Sequence, residues 1–186
     1  RIQELMAFQN SAYARRYALR VERCRQREAQ VLGASGEITH AYARQLHKLM
    51  AYKDEYEVAR LHADPAFLKR IADQFEGDFR LNYHLAPPLL AKKNDKGELV
   101  KQKYGASMLL AFKLLSRLRF LRGGVLDVFG YTEERRTERE LIEQYKASIT
   151  EVMASYAPDK HSLALEIARI PEKIKGYGHV KARHLK

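Results

Sequence analysis

Cysteine is almost absent from this sequence: Cys24 is the single cysteine among 186 residues. One cysteine excludes a disulfide within the chain, and it excludes a zinc or iron–sulfur site built from cysteines of this chain alone. The scarcity favours a reducing, cytoplasmic compartment. Because Cys24 lies on an apolar helical stripe, we interpret it as a small core residue, with a reactive thiol as the alternative.

Long apolar runs are also lacking. The most apolar run, residues 106–115, carries Lys113, and it is far shorter than the roughly 20 residues that a membrane-spanning helix needs. No signal peptide is visible, so neither a membrane span nor secretion is predicted. The sequence begins with Arg1 inside a predicted helix, and we therefore expect it to be a piece of a longer polypeptide.

The familiar catalytic motifs are missing as well. We find no dinucleotide-binding G-x-G-x-x-G, no phosphate loop ending in Gly-Lys-Ser/Thr, no H-E-x-x-H and no nucleophile elbow. His40 and His47 have no carboxylate at ligand spacing between them, so no metal site is predicted. The most site-like fragment is Gly-Tyr-Gly-His at residues 176–179, where His179 could exchange protons near neutral pH. A flexible C-terminal connection is the interpretation that we favour for it.

Positive charge, in contrast, is abundant. The formal net charge is +11, which makes nucleic acid, anionic surfaces and acidic proteins candidate partners. A piece of a larger protein can also show charge that the other domains neutralise. The excess gathers in residues 15–27, 92–103 and 173–186, whereas Arg135, Arg136 and Arg139 alternate with glutamates, which predicts a salt-bridged face.

Helical spacing of apolar residues runs through most of the chain. It predicts one long helix over residues 1–32, whose stripe is interrupted at Asn10 and Glu28. It further predicts a helix from near Glu37, a short helix opened by Asp64 and Pro65, a nearly buried apolar helix over residues 106–121, and a helix capped by Thr132 that reaches about residue 156. In the last helix, the residues expected to share an apolar face are Leu163, Ile167, Ile170 and Ile174.

Residues 79–85 alternate between apolar and polar side chains, which is typical of a half-buried strand. With a turn at residues 94–97, they predict a β-hairpin insert around residues 79–104. The predicted fold class is mainly α: a helical bundle with one small inserted β-hairpin. Residues 1–32 would connect from a preceding catalytic domain, and residues 33–186 would form the helical domain.

The stretch around which we expect the rest to be organised is residues 48–60, KLMAYKDEYEVAR. Read as one helix, it places Tyr52 and Tyr56 on a common face, and we expect both rings to pack inward. Glu57 can pair with Lys53 or with Arg60 on the helix surface. The alternative is a solvated amphipathic helix with ordinary surface pairs.

Four segments resemble the C-terminal domain of the long, fused form of indolepyruvate ferredoxin oxidoreductase. They are KLMAYKDEYEVARL (48–61), YHLAPPLL (83–90), FGYTEERRTERELI (129–142) and IKGYGHVK (174–181). In addition, NSAYARRYALRVERCR (10–25) is similar to the connection that leaves the family's catalytic domain. The residues within these segments that we expect to contact other domains are Lys53, Tyr56, Glu57, Arg60, Arg135, His179 and Lys181.

The resemblance implies a cytoplasmic enzyme that oxidatively decarboxylates aryl 2-oxo acids to acyl-CoA, with ferredoxin as the electron acceptor. The family uses thiamine diphosphate with Mg²⁺, iron–sulfur clusters and coenzyme A. Its Gly-Asp-Gly thiamine motif is missing here, the nearest fragment being residues 76–78, Glu-Gly-Asp. We therefore expect no cofactor and no catalytic residue within this chain, and we expect the isolated chain to be inactive.

Two functions remain open from the sequence. The first is an accessory domain of that oxidoreductase, whose partners are the other domains of the same polypeptide and ferredoxin, with a homodimer as a further option. The second is a basic helical module that binds nucleic acid. We favour the first, because neither a helix-turn-helix pattern nor a basic helix with stacking aromatics is clear.

Overall fold

The computed structural model describes residues 1–33, 36–86, 100–174 and 176, and most of them are helical. The α-helices in this part of the chain are α1 Ile2–Phe8, α2 Ser11–Leu32, α3 Glu37–Met50, α4 Glu55–Ala63, α5 Pro65–Ala72, α6 Met108–Arg117, α7 Glu133–Ala154 and α8 His161–Arg169. Strands β1 Tyr83–Leu85 and β2 Gln102–Tyr104 pair antiparallel. Short 3₁₀ helices occupy Leu118–Leu121, Pro158–Lys160 and Ile170–Lys173. The predicted fold class is confirmed, while the predicted turn at 94–97 lies outside the described residues.

The chain forms two compact units. The first unit comprises Arg1–Tyr52 and Gly123–Lys186, and the second is the intervening Lys53–Arg122. In sequence, the second unit is therefore an insertion into the first. The role of residues 1–32 as a connection from a catalytic domain stays a prediction. Among the described residues, no helix combines the length and apolar character that crossing a membrane requires.

Helices α1, α2, α3, α7 and α8 enclose the hydrophobic core of the first unit. Two tyrosine hydroxyls inside it donate hydrogen bonds to helix carbonyls: Tyr17 to Ala43 at 2.9 Å and Tyr145 to Ala168 at 2.7 Å. Burial raises the pKa of both hydroxyls, so both remain protonated donors. Cys24 is confirmed as a core residue, and burial raises the pKa of its thiol to about 11.

Two adjacent charged residues of α2 cap two other helices. Glu28 is fully buried, and its carboxylate accepts hydrogen bonds from the backbone N–H groups of Ile38 and Thr39, both at 3.0 Å. It thereby caps the start of α3, where Gly36 offers no side chain. The neighbouring Arg27 donates to the carbonyl of Met153 near the end of α7. Both contacts complement the helix dipoles.

The prediction of a single helix over residues 1–32 is wrong. The structure divides this span at Gln9 and Asn10 into α1 and α2. The Asn10 side chain accepts a hydrogen bond from the Tyr13 N–H at 2.9 Å and so caps a new helix. Asn10, which interrupts the apolar stripe in the sequence, therefore marks the start of a helix.

The interpretation of residues 48–60 as one helix is also wrong. Helix α3 ends at Met50, and α4 begins at Glu55. Asp54 lies between them and accepts a hydrogen bond from the Glu57 N–H at 2.8 Å, as an N-cap does. The two tyrosines do pack inward as predicted, but Tyr52 belongs to the first unit and Tyr56 to the second.

The second unit contains α4, α5, the two strands and α6. Its core contains Ala59, Tyr83 and Phe112, and the His62 ring stacks on Phe112 with 4.9 Å between centroids. The chain enters this unit at Lys53 and leaves it at Arg122. The Arg122 guanidinium binds the Asp54 carboxylate through two hydrogen bonds, at 2.5 and 2.7 Å, and both side chains are buried. This ion pair joins the two ends of the second unit.

Two helices bury less of their apolar surface than the sequence predicted. In α6, Phe112 is buried, but Leu110 and Leu114 are exposed, so the predicted nearly buried helix is wrong. In α8, the buried residues are Ala164 and Ala168, whereas Leu163 is exposed, as is Ile170 directly after the helix. Small residues allow this helix to approach its neighbours closely, and the larger residues then point outward. Pro171 starts the 3₁₀ turn that follows, as predicted.

Candidate functional site

The predicted contact residues on α4 have different environments. Tyr56 and Glu57 are buried, and Arg60 binds both carboxylate oxygens of Glu57 at 2.7 and 2.8 Å. The predicted Glu57–Arg60 pair is therefore confirmed. Lys53 is exposed. Because Tyr56 and Glu57 are held inside their own unit, only Lys53 and Arg60 of this group offer surface to a partner, and their role stays a prediction.

Arg135 forms the predicted kind of ion pair, since its guanidinium lies 3.6 Å from the Glu134 carboxylate, but it does so as a buried residue. It is buried near the start of α7, with its guanidinium carbon 5.9 Å from the centre of the Tyr52 ring. Glu138, one turn further, is buried as well. The alternation of charges predicted a salt-bridged face, but it does not show which of these charged residues are buried. His179 and Lys181 lie outside the described residues.

In the sequence, the first unit resumes at Gly123, shortly before α7. Residues 123–131, GGVLDVFGY, form a loop there, which we call the 123–131 loop. Asp127, its single charged residue, is buried. The two carboxylate oxygens of Asp127 accept hydrogen bonds from Gly123 N–H at 2.7 Å and from Gly130 N–H at 3.1 Å. One side chain thereby fixes both ends of the loop.

Further contacts hold the backbone of the loop in place. The Tyr131 hydroxyl donates to the Val125 carbonyl at 2.8 Å, and Arg139 donates to the Gly130 carbonyl at 2.7 Å. Gly130 has to be a glycine, because a Cβ there would lie 2.4 Å from a carboxylate oxygen of Asp127. The loop is therefore preorganised by its own residues.

This ordered loop presents apolar side chains to solvent. Val125 is 87% exposed and Leu126 is 71% exposed, and Val128 and Tyr131 are exposed as well. Single exposed apolar residues are common on proteins, but here four of them lie within seven residues of one ordered loop. Exposed apolar clusters of this kind mark interaction surfaces.

The sequence analysis missed this loop, because it interpreted the two glycines at 123 and 124 only as the end of a helix. The signal that could have revealed it is an aspartate placed between glycines at residues 123 and 130, with large apolar residues on either side. Short loops of this composition use aspartate to bind their own backbone N–H groups.

Within the described ranges, no three residues of the types His, Cys, Asp or Glu lie close enough to hold a metal ion. His40 and His47 both lie on α3, and His47 is partly buried against Tyr17 with 6.3 Å between ring centroids. The Glu-Gly-Asp fragment at residues 76–78 is exposed. The expectation that cofactors bind elsewhere stays a prediction.

Comparison with known proteins places the chain in a family. The model of a family of unknown function, DUF6537, matches residues 1–186. The chain belongs to DUF6537. No curated protein and no solved structure matches it. Since the DUF6537 description assigns no activity, the resemblance to the oxidoreductase stays a prediction.

Proposed function

We propose that this chain is an accessory domain of an indolepyruvate ferredoxin oxidoreductase, and that it contributes contacts to the assembly while the chemistry takes place in other domains. The enzyme would be cytoplasmic and would convert aryl 2-oxo acids to acyl-CoA with ferredoxin as acceptor. Thiamine diphosphate, Mg²⁺, the iron–sulfur clusters and coenzyme A would bind in those other domains. The support is the ordered series of matching segments, which covers the chain nearly from end to end.

The observation that carries the docking role is the 123–131 loop. Its backbone is fixed before any partner arrives, so little conformational entropy is lost when its side chains are covered. It overlaps the segment 129–142, one of those that resemble the oxidoreductase. The overlap comprises residues 129–131, so the end of the loop, with the exposed Tyr131, belongs to a segment that resembles the oxidoreductase.

The chemistry of the loop selects the kind of partner. Its single charge, Asp127, is buried, so the surface that it offers is uncharged. An uncharged apolar surface is complementary to an apolar recess and has no attraction for an acidic protein. We therefore assign its occupant to another domain of the same polypeptide, and ferredoxin would bind elsewhere.

The experiment uses the full-length polypeptide that contains this chain. Leu126→Asp places a charge in the proposed contact, and Leu163→Asp places the same charge on α8, where the leucine is also exposed. We expect indolepyruvate-dependent reduction of ferredoxin to fall by about tenfold or more with Leu126→Asp, since a buried unpaired charge costs several kcal/mol. Leu163→Asp should retain the activity of the unmodified enzyme.

Two results would overturn the proposal at different levels. A full-length protein that fails to oxidise indolepyruvate or related aryl 2-oxo acids contradicts the assignment to the oxidoreductase. Equal activity in the Leu126→Asp and Leu163→Asp proteins contradicts the docking role of the loop and leaves the enzyme assignment standing. Thermal unfolding of both variants checks that each is folded.

A further inference from the structure

A groove on the first unit follows the polar face of α3. It consists of two adjoining cavities of about 740 and 670 Å³, which share Arg1, Arg44 of α3, Arg169 at the end of α8, and Glu172. Other residues that line it are Glu37, His40, Ala41, Gln45, His47 and Lys48. Cavities of this size are typical of small-molecule sites.

The groove contains arginines that are weakly paired within the structure. Arg44 lies 3.9 Å from the Glu172 carboxylate, and both side chains are exposed, so solvent screens the pair and its attraction is weak. Arg169 has no ion pair with any residue in the described ranges. Lys48, in contrast, donates to the carbonyls of Pro171 and Ile174 at 2.6 and 2.8 Å. Arg1 also lines both cavities, and its side chain interacts with the Tyr17 hydroxyl. Arg44 and Arg169 are therefore the arginines that we assign to an anionic ligand.

A buried amide at the groove adds a second, independent observation. Gln45 is 2% exposed, and its amide nitrogen donates to Glu172 at 3.0 Å. This contact fixes the orientation of the amide, because a carboxylate accepts hydrogen bonds and does not donate them. The amide oxygen of Gln45 then has no donor among the described residues. A buried acceptor without a donor is unfavourable, and a ligand that donates a hydrogen bond to it removes this cost.

We propose that this groove binds a small molecule that carries a phosphate group and a hydroxyl group. The phosphate oxygens accept hydrogen bonds from the Arg44 and Arg169 guanidinium groups, whose planar forks fit tetrahedral oxyanions. The hydroxyl donates to the Gln45 amide oxygen. The phosphate replaces Glu172 as the partner of Arg44, and Glu37, the other carboxylate of the groove, contacts His161 at 3.3 Å.

A small molecule fits the groove better than an acidic protein segment. The Gln45 oxygen is buried, so the group that reaches it has to be slender and carry its own donor. The glutamates at 37 and 172 also line the groove, so it suits a single anionic group held by the two arginines and does not suit a continuous run of acidic side chains. The site does not involve the 123–131 loop, so this proposal stands or falls separately from the docking role.

Calorimetric titration of the chain tests the proposal with two probes, inorganic pyrophosphate and ribose 5-phosphate. We expect saturable binding of both, and we expect Arg44→Gln and Arg169→Gln each to weaken it by about tenfold, the equivalent of one charge-assisted hydrogen bond. Arg136→Gln removes an exposed arginine of α7 and is the matched control. It should bind both probes as the unmodified chain does.

The amide is tested by Gln45→Met, which keeps the volume and removes the acceptor. It should weaken ribose 5-phosphate more than pyrophosphate, because only the sugar offers a hydroxyl. No saturation up to about 10 mM, or equal weakening in Arg136→Gln, would overturn the proposal. Displacement of both probes by a poly-glutamate peptide at lower concentration would replace it with an acidic protein partner.

Discussion

Tyr56 shows how one side chain can hold several parts of the second unit together. It is 2% exposed, and the Arg122 guanidinium carbon lies 5.5 Å from the centre of its ring. The ring therefore packs beside the ion pair that Arg122 makes with Asp54. Removing the ring leaves a cavity and takes an aromatic face away from a buried cation.

We expect Tyr56→Ala to lower the free energy of unfolding by about 3–5 kcal/mol, as for other large aromatic truncations in protein cores. Phe120→Ala is the control, since Phe120 belongs to the same unit and is largely exposed. Denaturant unfolding followed by circular dichroism measures both. A Tyr56→Ala midpoint that matches that of Phe120→Ala would show that the ring does not stabilise the core.

His47 gives the first unit a pH-dependent stability. Burial lowers the pKa of His47 below its usual value of 6.5, and the Glu4 carboxylate raises it in part. The Nε2 atom lies 3.0 Å from a Glu4 oxygen in an arrangement that is not a hydrogen bond. Burial outweighs this exposed carboxylate, so folding favours the neutral form of the imidazole over the charged form.

The unfolded chain consequently binds more protons than the folded chain below about pH 6.5, and the free energy of unfolding falls as the pH falls through that range. We expect His47→Gln to flatten this part of the stability profile, and its difference from the unmodified chain to be constant above pH 7. Urea unfolding at a series of pH values measures it. An unchanged slope in His47→Gln would assign the pH dependence to other groups.

The residues that interrupt a pattern were the hardest to interpret from the sequence. Asn10 and Glu28 both break the apolar stripe of residues 1–32, and both turned out to be helix caps. The Asn10 cap is local and could have been read from its own three following residues. The Glu28 cap acts on Ile38, on another helix, and such a contact depends on tertiary packing that no local pattern contains.

At the scale of elements, the ion pair between Asp54 and Arg122 connects the start of α4 with the end of the 3₁₀ helix Leu118–Leu121. Asp54 has two functions, because it also caps α4. Asparagine can cap a helix as well as aspartate but carries no charge. The two functions can therefore be separated by substitution.

We expect Arg122→Met to lower the free energy of unfolding by about 3–5 kcal/mol, since it leaves the Asp54 carboxylate buried without its cation. Asp54→Asn combined with Arg122→Met should be more stable than Arg122→Met alone, because no charge is then left unpaired. A double-mutant cycle in denaturant measures the coupling. Strict additivity of the two substitutions would show that the pair contributes nothing.

The positions of the helices were predicted better than the faces by which they are buried. Asp64 with Pro65 and Thr132 marked the starts of α5 and α7 correctly, because caps are local signals. The predicted burial of α6 was wrong, since periodicity shows that a helix has an apolar face and does not show which part a neighbour covers. The 123–131 loop has neither helical nor strand periodicity of apolar residues, so a search for such periodicity could not reveal the candidate docking site.

At the scale of the whole molecule, the net charge of +11 overstates the cationic surface. Arg27, Lys48, Arg122 and Arg135 all contact carbonyls, carboxylates or rings of this chain. Two of them, Arg27 and Arg135, lie in segments that counting alone would assign to a partner or to a salt-bridged face. The net charge therefore indicates solubility and long-range attraction of anionic partners more than it indicates a continuous binding surface for nucleic acid.

We expect duplex DNA to bind this chain weakly and without sequence preference, no tighter than about 10⁻⁶ M near physiological salt. A gel-shift titration at several salt concentrations measures the affinity and its salt dependence, which is about −0.9 in log–log slope per phosphate contacted. Nanomolar, sequence-dependent binding would favour the basic helical nucleic-acid module over the oxidoreductase domain.

We also expect the isolated chain to bind no thiamine diphosphate with micromolar affinity, even with Mg²⁺ present. The Gly-Asp-Gly motif of the oxidoreductase that the chain resembles is missing, and its nearest counterpart at residues 76–78 is exposed. Isothermal titration calorimetry provides the measurement. Micromolar binding would show that this chain carries cofactor chemistry of its own.

The insertion of one unit into the sequence of the other sets an order of events during synthesis. Residues of the second unit are contiguous, so it is complete once Arg122 has left the ribosome and can pair with Asp54. The first unit has to wait for α7 and α8, which translation supplies several seconds later at about 5–20 residues per second. During that interval, the apolar faces of α2 and α3 that will contact α7 are uncovered, and the nascent chain is then most exposed to chaperones and to aggregation.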